Sequence, residues 1–151
     1  MPSLSGRIRN PDLRRFYQIW RVTLIEGLAL PRVDTFDPRE LEPMSFVAAI
    51  EGDGFRFIRF GARLVEWLGE SLEGRLVRDD APQGFGSLAA AYRACADHQT
   101  PTCESMRYDF GGGESVSFER VVVPLFDDKQ TVSHLGGAVM IEDTGPRVND
   151  G

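Results

Sequence analysis

The segment Phe55–Gly61, FRFIRFG, constrains this chain most. A short run of Phe and Ile bounded by glycines reads as a strand. Its apolar residues fall on both parities, with Phe55 and Phe57 on one side and Ile58 and Phe60 on the other. A strand apolar on both faces belongs to a sheet that is covered on both faces. The segment then runs into a short helical stretch, about Ala62 to Leu68, in which Gly69 and Gly74 mark the following turns. A loop over Arg75–Gly86 leads to the longer helix SLAAAYRACADH, with Ser87 as its N-cap and Thr100-Pro101 ending it.

The remaining elements follow from the same local signals. Asn10-Pro11 starts a helix, with Asn as N-cap and Pro at the first helical position. The pattern carries it over 11–30, and it stops before Pro31. Leu13, Phe16, Tyr17, Trp20, Leu24 and Leu28 form one stripe at helical spacing, and Ile19, Val22 and Ile25 lie off it. A helix this apolar packs one face on its own domain and can offer another to a partner chain. In the linker that follows, DPREL predicts one helical turn. Ser45–Glu51 reads as a strand joined to FRFIRF by the hairpin turn Gly52-Asp53-Gly54. Three more strands are expected at Thr102–Phe110, Ser115–Leu125 and Ser133–Glu142. The predicted class is α+β: a five-stranded antiparallel sheet with helices on one face and the N-terminal helix covering the other.

Composition narrows the function. A chain of 151 residues is one domain's worth, large enough for one sizeable core. Its net charge of −6 argues against nucleic acid or an anionic membrane as partner of the whole chain. No apolar run approaches the roughly 18 residues that a membrane span needs. Met1–Arg15 lacks the apolar centre of a signal peptide. Cys95 and Cys103, without a CxxC, read as free thiols in a reducing cytoplasm. There is no GxSxG elbow and no HxxxH. Asp79-Asp80 and Asp127-Asp128 read as turn formers. Gly84–Ala89 matches GxGxxA but follows a polar loop, so it lacks the strand that a dinucleotide site requires. No catalytic constellation emerges, and a non-enzymatic module is expected.

The order helix, hairpin, short helices, long helix, three antiparallel strands resembles the PAS fold. FRFIRFGARLVEWLGESLEGRLV is similar to the PAS signature. DPRELEPM, FGARLVEWLGESLEGR and FERVVVPLF resemble a bacterial PAS subfamily of unassigned function. The resemblance covers about 13–142, and implies a flexible arm at 1–10, the helix at 11–30, a PAS-like domain at 31–143 and a mobile tail at 144–151. PAS relatives bind haem, flavin or small metabolites between sheet and helices, or bind nothing and pair subunits. Haem-binding relatives use a histidine of the long helix, which singles out His98; its place at the helix's C-terminal end suits a cap better. The Asn-Cys-Arg-Phe-Leu-Gln motif of covalent flavin photochemistry is absent.

The resemblance implies a cytoplasmic sensory or regulatory module that holds a small anionic or apolar ligand. Its output would come from a separate protein or from the N-terminal helix. Arg59 shares parity with Phe55 and Phe57, and would anchor an anion if that face lines the pocket. Arg120 shares parity with Phe118 and Val122 and is a second such cation, unless it is exposed or paired with Glu119 or Glu104. Phe57, Trp67, Tyr92 and Phe118 would supply walls, or simply core. The alternative is a ligand-free homodimer paired through Ile19, Trp20, Val22 and Ile25 of the N-terminal helix.

Overall fold

The computed structural model describes residues 6–26, 31–77, 85–111 and 114–141, without the side chains of 23–26, 85–90, 106–111 and 114–116. Helix α1 spans Pro11–Glu26. Asn10 caps it, its Oδ1 accepting the backbone N–H groups of Asp12 at 2.8 Å and Leu13 at 3.2 Å. Leu13, Phe16, Tyr17 and Trp20 are buried, the helical spacing that the sequence stripe predicts. The Trp20 indole Nε1 donates to the Pro124 carbonyl at 2.9 Å, and the Phe16 ring meets Phe36 edge-on at 5.5 Å. Trp20→Phe removes that donor and leaves a buried carbonyl unpaired. The expected loss is about 1–2 kcal/mol from the hydrogen bond, read as a lowered urea midpoint.

The expected flexible arm gives way in its inner half. Ile8 is only 1% exposed and packs in the same core as α1. Residues 1–5 and the expected tail at 144–151 lie outside the described residues.

A 3₁₀ helix, Arg39–Met44, leads into the sheet. The strands are β1 (Ser45–Glu51), β2 (Gly54–Phe60), β3 (Leu76–Val77), β4 (Thr102–Gly111), β5 (Glu114–Phe126) and β6 (Val132–Ile141). They form one antiparallel sheet in the order β3-β2-β1-β6-β5-β4. The sheet therefore has six strands, not five. The extra one is the pair Leu76–Val77, expected as loop, which pairs with Arg56 and Phe55. Helices α2 (Ala62–Leu68) and α3 (Phe85–His98) lie between β2 and β4 in the chain. Gly69 ends α2 at φ +92°, a left-handed conformation that glycine adopts without strain. Because α3 begins at Phe85, Ser87 sits inside its first turn and is not its N-cap.

The sheet separates two cores. On one face Val47, Val121, Val123, Leu125 and Ala138 meet Ile8, Leu13, Phe16 and Trp20. On the other Phe46, Ala48, Phe55, Phe57, Val122 and Leu135 meet Leu64 of α2, Leu72, and Tyr92 and Cys95 of α3. The expected layering is thus present, with helices on one side and α1 on the other. The doubly covered strand, however, is β5, whose Val121, Val122, Val123, Leu125 and Phe126 are all buried. β2 lies near the sheet margin, flanked outside only by two-residue β3.

Its apparent two-sidedness comes from a bulge. Val47 pairs with Arg59 and the next residue, Ala48, pairs with Phe57, so Ile58 is an extra residue. One inserted residue shifts the alternation by one position. Phe60 returns to the face of Phe57, their rings 5.4 Å apart, and Ile58 is left 43% exposed.

Candidate functional site

The helix-side space beside β1 and β2 is filled by rings. Phe46 meets Phe57 edge-on and stacks on Tyr92, both at 5.6 Å. Phe55 meets Tyr92 edge-on at 5.3 Å. Such offset and T-shaped contacts are the favourable arrangements of aromatic quadrupoles. This half is core, and Phe57 and the ring of Tyr92 belong to it.

Next to it, where α3 crosses β4 and β5, the lining turns polar. Arg120 of β5 is 5% exposed, and its Nη2 lies 2.5 Å from Oε1 of Glu104, its direct partner across the β4–β5 pair. A buried guanidinium needs such a countercharge. Thr102, two residues before Glu104 and paired with Val122, faces the same way. Its Oγ1 is buried and has no hydrogen-bond partner among the described residues. The Tyr92 hydroxyl is likewise buried without a partner among them. Burial pushes the Tyr92 ionisation well above its usual range; Arg120 opposes this, and Glu104 and Cys95 reinforce it. The phenol therefore stays an O–H donor. One turn along α3, the Cys95 Sγ donates to the Val122 carbonyl at 3.7 Å, and burial pushes its thiol up to about 12. It is not a thiolate nucleophile at neutral pH.

The opposite face of the same two strands carries a second buried charge. Glu119 is 1% exposed and accepts the backbone N–H groups of Arg9 and Asn10, each at 2.8 Å. Arg9 Nη2 donates to Ser105 Oγ at 3.0 Å, and Cys103 Sγ lies 3.5 Å from Glu119 Oε2. Burial, then Glu119, raises the Cys103 thiol to about 12. Adjacent residues of β5, Glu119 and Arg120, thus serve opposite faces: one holds the start of α1, the other lines the polar cluster.

Two site expectations need correction. Arg59 does not enter the helix-side space. The Ile58 bulge turns it to the face of Val47, where it is exposed. Trp20 is no interface residue, because it is 5% exposed and bonded to its own sheet. Of the other expected residues, Trp67 is half-buried against the helix-side core. Phe118 is partly buried, two residues from Arg120 on its face. Ile19 packs partly on the α1-side core, Val22 is 48% exposed, and the Ile25 side chain lies outside the described residues. Thr102 went unnoticed in the sequence; only its parity with Glu104 signals it.

His98 is exposed at the end of α3. His134 is half-buried beside Ser133 Oγ at 2.8 Å; burial and Arg59 hold its pKa below the ordinary value against the pull of Asp127. Asp127 acts as a turn former, its Oδ1 accepting the N–H groups of Lys129 and Thr131. Among the described residues no group of three or more His, Cys, Asp or Glu is placed to hold a metal, and no helix is long and apolar enough to cross a membrane.

No protein-family model and no curated protein matches the sequence. Solved structures match the fold. Vivid aligns at a TM-score of 0.54 and 11% identity, covering 82% of this chain and 97% of its own. The dark form of the blue-light photoreceptor Aureochrome1 LOV aligns at 0.51 and 13%, covering 68% and 78%. A sensory box sensor histidine kinase from Vibrio cholerae aligns at 0.50 and 12%, covering 82% and 92%. The architecture is that of the PAS and LOV domains. At these identities the likeness is one of fold.

Proposed function

We propose that this chain is a PAS-type sensory or regulatory module that takes a small ligand against Tyr92, Thr102, Arg120 and Glu104. It acts in the cytoplasm, and its output passes through a separate protein. One observation carries the reading: two buried hydroxyls without partners among the described residues lie on the helix-side lining that also holds a partly buried ion pair. A buried hydroxyl left unsatisfied costs on the order of 1–3 kcal/mol. A ligand oxygen that bonds both would recover that cost and give the cluster a use.

Native mass spectrometry of protein purified from cells tests this. A retained small molecule is expected in the wild type and lost in Tyr92→Phe and Thr102→Val. In ligand-free protein Tyr92→Phe is expected to raise stability by about 1 kcal/mol, since it deletes an unpaired buried group. Protein that carries no molecule, from any growth condition or extract, removes the proposal.

A second reading, self-association through α1, has an observation of its own. Val22 is 48% exposed beside an open groove of about 320 Å³, lined by Arg15, Gln18, Ile19, Thr35, Asp37 and Arg39. Light scattering decides it. A dimer that Val22→Glu turns into monomer supports it, and a monomeric wild type ends it.

A further inference from the structure

We infer that the ligand of this cluster is an uncharged molecule presenting a hydrogen-bonding oxygen, such as an amide, ketone or alcohol, and not a carboxylate or phosphate. This rests on the reading that the cluster takes a ligand at all. Charge decides it. The guanidinium of Arg120 is 5% exposed and already faces the Glu104 carboxylate at 2.5 Å, so an incoming anion meets a cation that already has a countercharge. An anion would bring a second negative charge beside Glu104. Like charges brought together in a partly buried site disfavour the charged state. The Glu104 side chain is 37% exposed, so water screens part of the penalty without removing it.

The hydroxyls point the same way. Tyr92, held as a phenol by burial, offers a donor; Thr102 offers a donor or an acceptor. Both suit a carbonyl or hydroxyl oxygen.

Isosteric probes that differ only in charge test the inference: acetamide against acetate, benzamide against benzoate, and nicotinamide against nicotinate. Ligand-detected NMR titration of the full chain near neutral pH reads their affinities. In the wild type at least one amide is expected to bind about tenfold or more tightly than its carboxylate, the scale of one partly screened charge contact. Glu104→Gln leaves the Arg120 charge without that countercharge and is expected to reverse the preference. Should Glu104→Gln not fold, Thr102→Val keeps the test. It deletes one hydroxyl, leaves the ion pair, and is expected to weaken the amide while the carboxylate stays excluded. A wild type that binds a carboxylate as tightly as its amide, with binding lost in Tyr92→Phe, overturns the inference and leaves the ligand-site reading standing. Binding of none of the six probes, together with no molecule retained on purification, ends both.

Discussion

Gly137→Ala is expected to destabilise the protein by about 3 kcal/mol, the upper range for an inserted methyl in a close-packed core. A Cβ there would stand 2.1 Å from Cζ of Phe46, and 2.5 and 2.7 Å from the two Cε atoms. The ring cannot turn aside cheaply, since it is 3% exposed and held against Phe57 and Tyr92. The backbone has no more freedom. Gly137 pairs with Phe46 on one side and Val122 on the other, both within the central strands. The neighbouring residue provides a control. A Cβ on Gly136 would meet Cδ1 of Leu125 at 3.1 Å, the far end of a flexible side chain on the opposite face. Gly136→Ala is therefore expected to cost about 1 kcal/mol or less. Urea midpoints of the two variants separate the cases, and equal losses would mean that Phe46 does not lie over Gly137. Phe46→Leu placed in the Gly137→Ala background should recover part of the loss, a non-additivity expected only of residues in contact.

Much of the fold follows from local chemistry, and the departures have local causes. Asn10-Pro11, Gly52-Asp53 and the α2 stretch ending at Gly69 are short-range signals, and each marks its boundary. The bulge at Ile58 has no such mark. Nothing in FRFIRF distinguishes a strand apolar on both faces from a strand apolar on one face with an extra residue. That ambiguity placed Arg59 in the helix-side space, while Arg120 is the guanidinium that lies there. β3 escaped because two residues carry no period; it exists because Phe55 and Arg56 offer it an edge. Along β5 the alternation was readable, yet Val121 and Val122 are equally apolar, so parity could not tell which face held Glu119 and which Arg120. On α1 the stripe already separates buried Trp20 from exposed Val22, so Trp20 could not also serve a partner chain.

Glu119→Ala is expected to cost about 2–3 kcal/mol, in line with charge-assisted hydrogen bonds lost from a buried acceptor. The carboxylate holds the N–H groups of Arg9 and Asn10, and Asn10 in turn caps α1. It thus anchors the helix just ahead of its first turn, where negative charge also complements the helix dipole. The loss should be local before it is global. Leu13, Phe16 and Trp20 still bind α1 to the sheet, whereas the N–H groups of Arg9 and Asn10 lose the Glu119 acceptor and the stretch is left to Ile8 burial, the Arg14 bonds to the Ile8 and Arg9 carbonyls and the Arg9–Ser105 bond. Arg7, Arg9, Arg14 and Arg15 make this stretch a substrate for trypsin. Cleavage within 7–15 is therefore expected to accelerate by more than the fall in global stability accounts for, while cleavage at Arg56 follows global stability. Glu119→Gln keeps one carbonyl acceptor but turns an amide donor toward the second N–H, so it should lie between alanine and wild type. If Glu119→Ala changes neither the urea midpoint nor the cleavage rate, burial of Ile8 with the Arg14 and Arg9 side-chain bonds holds the N-terminal stretch, and the carboxylate is buried there without use.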